Sequence, residues 1–350
     1  MMRFMWVCKH YRPRMAGSEI YAEAVAKLLV AQGHSVCVVT STPSAEVDHG
    51  RIFDEQGVRV IRRVGNPTEP VLRRLVGEFE PDILITNYEW ANQVIGFGTK
   101  QGLPVVVVVH SASSWHQSVA PVNRSKVALW CFNSLDTFNQ AAANVHHCTL
   151  YPPIEPSRVA VSTNRATGER KQGIGIINPI KDKGSDIFYG LAERMPRRMF
   201  YALQGGYGFQ DRRMSMPNVV WFERGDPRRL FSEIDILLMP SITESFGMAA
   251  VEAQLNGIAV VASDLPSMRE SLGDGALFAE SGYLEGFHDA VLDLDDERTH
   301  RMIAARGRTN ARELVVLAPK QVAHFVDMCV ALSPRRIIHA WPVNRPDVSE

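Results

Sequence analysis

The run Thr243–Gly257 reads TESFGMAAVEAQLNG and holds two carboxylates, Glu244 and Glu252, with seven residues between them. A Phe-Gly-Met turn separates the first from a helical pattern, and the second lies about two turns inside it. The helix is expected from about Met248 to Gln254, with Gly257 ending it. The N–H groups of Phe246, Gly247 and Met248 then stand at a helix start, where backbone and dipole attract phosphate or hydroxyl oxygens. Glu244, with Ser245 beside it, sits at the level of whatever those amides bind. Glu252 falls roughly 8 Å along the axis. A carboxylate accepts two hydrogen bonds, which suits a vicinal diol. One glutamate on a sugar, amides on a diphosphate and a second glutamate on a ribose would span an extended nucleotide sugar. A capping acid followed by a solvated helix glutamate fits the same spacing.

These residues need a frame, and the flanking runs supply one. IDILLMPS before the motif and IAVVAS after it are apolar without alternation, as strands buried on both faces are. The same pattern recurs along the chain. Arg3–Cys8, Ser35–Thr40, Val58–Arg63, Ile83–Asn87, Pro104–His110 and Val127–Asn133 read as strands. Gly17–Gly33 reads as an amphipathic helix. The alternation stops near YPPIEP (Tyr151–Pro156), crosses the polar run Thr163–Gly173 and restarts with GIGIIN. The fold class is therefore α/β, with two doubly wound Rossmann-like domains facing across a cleft. Their expected limits are 1–155 and 156–332, the last helix being free to return to the first domain, with a tail at 333–350. In such sheets ligands sit at the carboxyl ends of the strands.

Composition bounds the class of function. The 350 residues are 45% hydrophobic and 22% charged, with 38 basic and 38 acidic side chains. Zero formal charge provides no global field for nucleic acid or anionic membrane. Five scattered cysteines, mostly in apolar runs, read as buried thiols of a reducing compartment. The apolar runs are short for a signal peptide or a membrane span, so a cytoplasmic location is expected. LDLDDE (Leu292–Glu297) has the look of an acidic metal pair but falls between helical segments, where capping is expected. No Cys/His cluster has zinc spacing. A dinucleotide oxidoreductase would need G-x-G-x-x-G after a strand, and QGGYGFQD does not supply it.

The stretch ESFGMAAVE followed by AQLNGIAVVASDLPSMRESLGDGALF resembles the donor-site motif of the family-4 retaining glycosyltransferases of GT-B fold. The likeness is specific over Gly173–Phe278, where INPIKDKGSDIF takes the place of the family's phosphate loop. It is looser in AGSEIYAEAVAKLLVAQGHSVCVVT, PDILITN and VVVVVH. The resemblance implies transfer of a sugar from a nucleoside-diphosphate sugar to an acceptor hydroxyl, with retention, a front-face reaction and no metal or cofactor. It gives Glu244 the sugar hydroxyls, Glu252 the ribose and Lys183 the diphosphate. His110 would reach the donor sugar from the N-terminal domain, and the amides of Ala16 and Gly17 would face the diphosphate. Most relatives have Gly-Arg where this chain has Asn178 and Pro179, so Lys181 is a candidate for the missing charge. A nucleotide-sugar epimerase of the same fold, or a non-catalytic sugar-binding relative, would share the motif.

One loop remains. KHYRPRMAG places Lys9, His10, Tyr11, Arg12 and Arg14 after the first strand, on the expected acceptor side. A solvated basic turn is one reading. Recognition of an anionic acceptor, with Tyr11 as a stacking face, is the other.

Overall fold

The structure is a computed structural model that describes residues 1–13, 16–42, 52–141, 144–161, 172–213 and 215–333. The tail from 334 and Arg14 therefore lie outside the described residues.

The first domain is built on β1 (Arg3–Val7), β2 (Ser35–Thr42), β3 (Ile52–Glu55), β4 (Val58–Val64), β5 (Ile83–Thr86), β6 (Val105–Val109), β7 (Leu129–Phe132) and β8 (His147–Thr149). They hydrogen-bond in the order β3-β4-β2-β1-β5-β6-β7-β8. All pairs are parallel except β3 with β4. That antiparallel edge was not expected, because IFDE is only four residues long and lacks the long apolar run of its neighbours. Central strands such as Val105–Val109 are buried throughout, since helices cover both faces.

The second sheet holds β9 (Gly173–Ile177), β10 (Phe200–Leu203), β11 (Val219–Phe222), β12 (Ile234–Met239), β13 (Ala259–Ser263) and β14 (Leu277–Ala279). Its order is β11-β10-β9-β12-β13-β14, parallel throughout. Each sheet reverses direction once, between β1 and β5 and between β9 and β12. Loops diverge at such a reversal and leave a crevice at the carboxyl ends of the two strands.

Seven helices matter for the site. They are α1 (Gly17–Ala31), α2 (Leu135–Ala141), α3 (Pro156–Val159), α4 (Ser185–Arg194), α5 (Met248–Leu255), α6 (Pro266–Leu272) and α7 (Glu297–Leu332). Asp296 caps α7 by accepting from the Thr299 N–H at 2.8 Å, and Asp295 pairs with Arg198. Two acids of the LDLDDE run thus have structural partners. By length and composition α7 could cross a membrane. Here it packs instead, with Ile303 and Ala311 buried in the second domain. Its later residues Val322, Phe325, Val326 and Cys329 complete the core of the first domain. Each large apolar side chain so buried stabilises by roughly 1.5–3 kcal/mol. All five cysteines are buried free thiols.

Candidate active site

The reversal between β9 and β12 brings two loops together. The loop after β9 ends in the tight turn Lys181–Lys183, and the loop after β12 leads into α5. The Ile242 N–H donates to the Asp182 carbonyl at 2.9 Å and ties one loop to the other. Gly184 has φ of 75°, and a side chain there would run into the Pro240 carbonyl. Only glycine allows the loops to approach so closely. The result is an ion pair of 2.6 Å between Lys183 Nζ and Glu244 Oε2, both largely shielded from solvent. Burial pulls the lysine pKa down, but the Glu244 charge and Tyr207 outweigh it and hold it above the ordinary lysine value.

Glu244 is fixed from several sides. Its Oε1 accepts from the Ser245 N–H at 3.1 Å, and its carbonyl accepts from Ser267 Oγ at 2.7 Å. Gly247 caps α5 with φ of 78°, and an added Cβ would meet Met268 Sδ at 2.7 Å. The first N–H groups of α5 have no intrahelical acceptor, so those of Met248 and Ala249 remain for a ligand. Phe246 contributes backbone only, because its ring is buried against Tyr151 at 5.2 Å. Glu252 lies farther along α5 and is half-buried. Burial pushes its pKa up to about 7, against the pull of Arg158 on α3.

Asn178 stands in for the usual glycine and adopts φ of 61°. Its Oδ1 accepts from Gln210 Nε2 at 2.7 Å, which pins the loop carrying Tyr207. Lys181 is exposed on the outer side of its turn.

The first domain presents a different surface. His110 ends β6 and is buried, stacked on Tyr88 at 5.2 Å and edge-on to Tyr21 at 5.0 Å. Burial lowers its pKa to about 3, so the imidazole is neutral. Its Nε2 lies 3.2 Å from Asn87 Nδ2. Tyr88 holds φ of 51°, a strained backbone for a bulky residue and one often found at working sites. Asn133 Nδ2 donates to the His110 carbonyl at 3.1 Å and to Ser245 Oγ at 3.0 Å, so it bridges the two domains. Buried oxygens of Asn87, Asn133 and Ser241, and the Asn178 amide nitrogen, have no protein partner. All four lie just past the carboxyl ends of strands, where a hydroxyl-rich or phosphorylated ligand would satisfy them.

Ala16 and Gly17 open α1, and a Cβ on Gly17 would meet nothing within 4 Å. The acceptor-side candidates fare less evenly. Lys9 pairs with Glu89 at 3.3 Å, and Arg12 pairs with the buried Glu23 at 2.6 Å. Tyr11 is buried in the core of the first domain and so offers little face for stacking. A cavity of about 480 Å³ lies beside this loop, lined by Arg12, Glu23, Lys27, Glu55 and Arg62 among others.

Thus Lys183, Glu244 and Ser245 come together, His110 joins them through Asn133, and Glu252 stands apart near Arg158. Sequence reasoning missed Asn87, Tyr88, Asn133, Tyr207 and Arg158. The signal that finds the first three is position, one or two residues beyond a strand's end.

Residues 16–151 match the glycosyl transferase 4-like domain, and residues 217–310 match the glycosyl transferases group 1 domain. The chain thus carries two glycosyltransferase domains, and its fold is the GT-B fold of glycosyltransferases. It is 44% identical over 87 residues, 23% of each chain, to an uncharacterized 41.2 kDa protein in the cps region of Klebsiella pneumoniae. That match spans about a quarter of the relative's length. A longer match, 23% identical, takes in 82% of this chain and 84% of the D-inositol 3-phosphate glycosyltransferase of Corynebacterium aurimucosum. Among solved structures, sucrose-phosphate synthase from Thermosynechococcus elongatus aligns at TM-score 0.79 and 15% identity, over 95% of this chain and all of that one. The Anabaena protein Alr3699/HepE in complex with UDP-glucose aligns at 0.73 and 16%, over 93% of this chain and all of its own.

Proposed function

We propose that the protein transfers a sugar, with retention, from a nucleoside-diphosphate sugar to an acceptor hydroxyl without a metal ion. The observation that carries this reading is the Lys183–Glu244 pair at the sheet reversal, beside the open N–H groups of α5. The fold likeness to a protein solved with UDP-glucose supports the donor class. Within the pair each charge neutralises the other. A donor diphosphate draws Lys183 away and frees the Glu244 carboxylate for sugar hydroxyls. As the glycosidic bond breaks, charge grows on the leaving diphosphate, and Lys183 with the helix amides stabilises it. A leaving phosphate oxygen takes the acceptor proton. Neutral His110 serves as a hydrogen-bonding wall on the sugar. Glu252 takes the ribose diol.

The acceptor enters from the side of Lys9 and Arg12. Both cations are already paired, so an anionic acceptor must displace Glu89 or Glu23, whereas a hydroxylated one need not. The test is a panel of nucleotide sugars screened by thermal shift, followed by incubation with candidate acceptors. Acceptor-dependent release of nucleoside diphosphate, with the donor's anomeric configuration kept in the product by NMR, is the expected result. Release that ignores every acceptor, or inversion, sinks the reading.

A further inference from the structure

The turn between β7 and α2 holds the second domain at two points. The first is the Asn133 bridge to Ser245 Oγ, 3.0 Å long. The second is Glu270 of α6, whose two oxygens accept from the N–H groups of Leu135 and Asp136 at 2.7 and 2.9 Å. Both N–H groups belong to the first domain and the carboxylate to the second. Tyr151, in the connection between domains, also hydrogen-bonds Glu270, and its N–H donates to Gln321 of α7 at 3.2 Å. Three residues of this short turn, Asn133, Leu135 and Asp136, thus grip Ser245 beside Glu244 and a carboxylate on the next helix. The same Asn133 amide holds the His110 carbonyl. The turn therefore fixes the distance from His110 to Glu244.

We propose that Glu270 and Asn133 are positioning residues that clasp the cleft shut and set the registry of the two half-sites. The inference rests on the transferase reading for its kinetic consequences but not for its geometry. A carboxylate that accepts from two N–H groups is a strong, directional contact. It lies outside the donor site, so its loss leaves nucleotide binding to the second domain intact. An open cleft admits water, so hydrolysis of the donor gains on transfer.

The experiment labels introduced cysteines at Arg74 and Glu223, exposed positions on opposite domains, with spin probes. The native thiols are buried and stay unlabelled. In the parent the distance distribution should be narrow. Glu270→Ala and Asn133→Ala should each broaden or lengthen it, and Glu270→Gln, which keeps one acceptor oxygen, should lie between. In the two Glu270 variants, affinity for free nucleoside diphosphate should stay within about twofold. Turnover in transfer should fall about 10- to 100-fold, the worth of a charged hydrogen bond or two, and the hydrolysis fraction should rise. A folded Glu270→Ala protein with the parent's distance distribution overturns the clasp, whatever its activity. A changed distribution in a protein that transfers no sugar keeps the clasp and rejects the transferase reading. Should Glu270→Ala not fold, Ser245→Ala and Glu270→Gln carry the distance test.

Discussion

The two faces of the cleft are built on opposite plans. On the second domain a lysine and a glutamate meet at 2.6 Å, and glycines at 184 and 247 let backbone segments close in on them. On the first domain the imidazole is neutral, its neighbours are tyrosines and asparagines, and the basic loop is neutralised by its own acids. One face is charged, narrow and intolerant. The other is polar, has a neutral imidazole at its centre and is loosely constrained at Gly17. On the proposed transferase reading, a nucleoside diphosphate has fixed chemistry and rewards the first plan. Acceptors vary, and a surface that commits little charge suits them.

Breaking the charged face should have the largest effect. Glu244→Gln should cut turnover at least 10- to 100-fold, as loss of a charged hydrogen bond implies. Free nucleoside diphosphate should bind this variant as tightly or more tightly, because Lys183 no longer faces a competing carboxylate. Lys183→Ala should lower kcat more than donor affinity, since leaving-group charge grows in the transition state. Lys181→Ala should be silent. Isothermal titration beside steady-state kinetics separates these outcomes, and normal turnover in Glu244→Gln would remove that residue from the site.

The glycines offer the next contrast. Gly184→Ala combines a positive φ with a collision, and should cost about 2 kcal/mol or more, with a Tm several degrees lower. Gly17→Ala should leave Tm unchanged. Equal Tm values for the two variants would erase the difference in constraint between the faces.

Two titratable groups, one half-buried and one buried, sharpen the comparison through pH. Burial holds the Glu252 pKa near 7, above the ordinary carboxyl value of 4.5. Its contribution to stability is therefore full below pH 4.5 and is lost as pH rises through 7. Glu252→Gln should lack that loss, and the gap between parent and variant should change by about 1–3 kcal/mol over this window. His110 behaves with opposite sign. Its pKa falls from 6.5 to about 3, so its contribution is present above pH 6.5 and is lost as pH drops toward 3. Denaturant melts at intervals across both windows will show the slopes. A rate inflection near pH 6.5 that disappears in His110→Gln would contradict a neutral imidazole.

The smallest effect belongs to the acceptor loop. Arg12→Gln should raise the Michaelis constant of an anionic acceptor less than about tenfold, and the increment should shrink with salt. Donor hydrolysis should not change. An equal loss with neutral acceptors returns this loop to the role of a braced surface turn.

Much of the charged face was legible because its residues are close in sequence. Glu244, Gly247 and the start of α5 at Met248 follow from one helix-entry pattern. Lys183 needed the family resemblance, for a lysine in a loop carries no signal of its own. Its neighbour Glu244 is 61 positions away, and only strand order joins them. The uncharged face was harder to read. A lone Asn133 after a strand looks like a turn former, and its bridge depends on how two domains meet. Tyr11 sits in a basic stretch that reads as exposed, yet the chain buries it in the core of the first domain. The edge strand β3 pairs antiparallel through a short hairpin, which periodicity alone does not separate from a loop.

The path of α7 has a consequence for how the molecule is made. This helix begins on the second domain and ends by supplying Val322, Phe325, Val326 and Cys329 to the first. During synthesis the first domain leaves the ribosome with an unfilled groove along its core. It waits there while the entire second domain is translated. The half of the protein made first is thus finished last, and a chain stopped before Val322 should yield a sound second domain attached to an incomplete first.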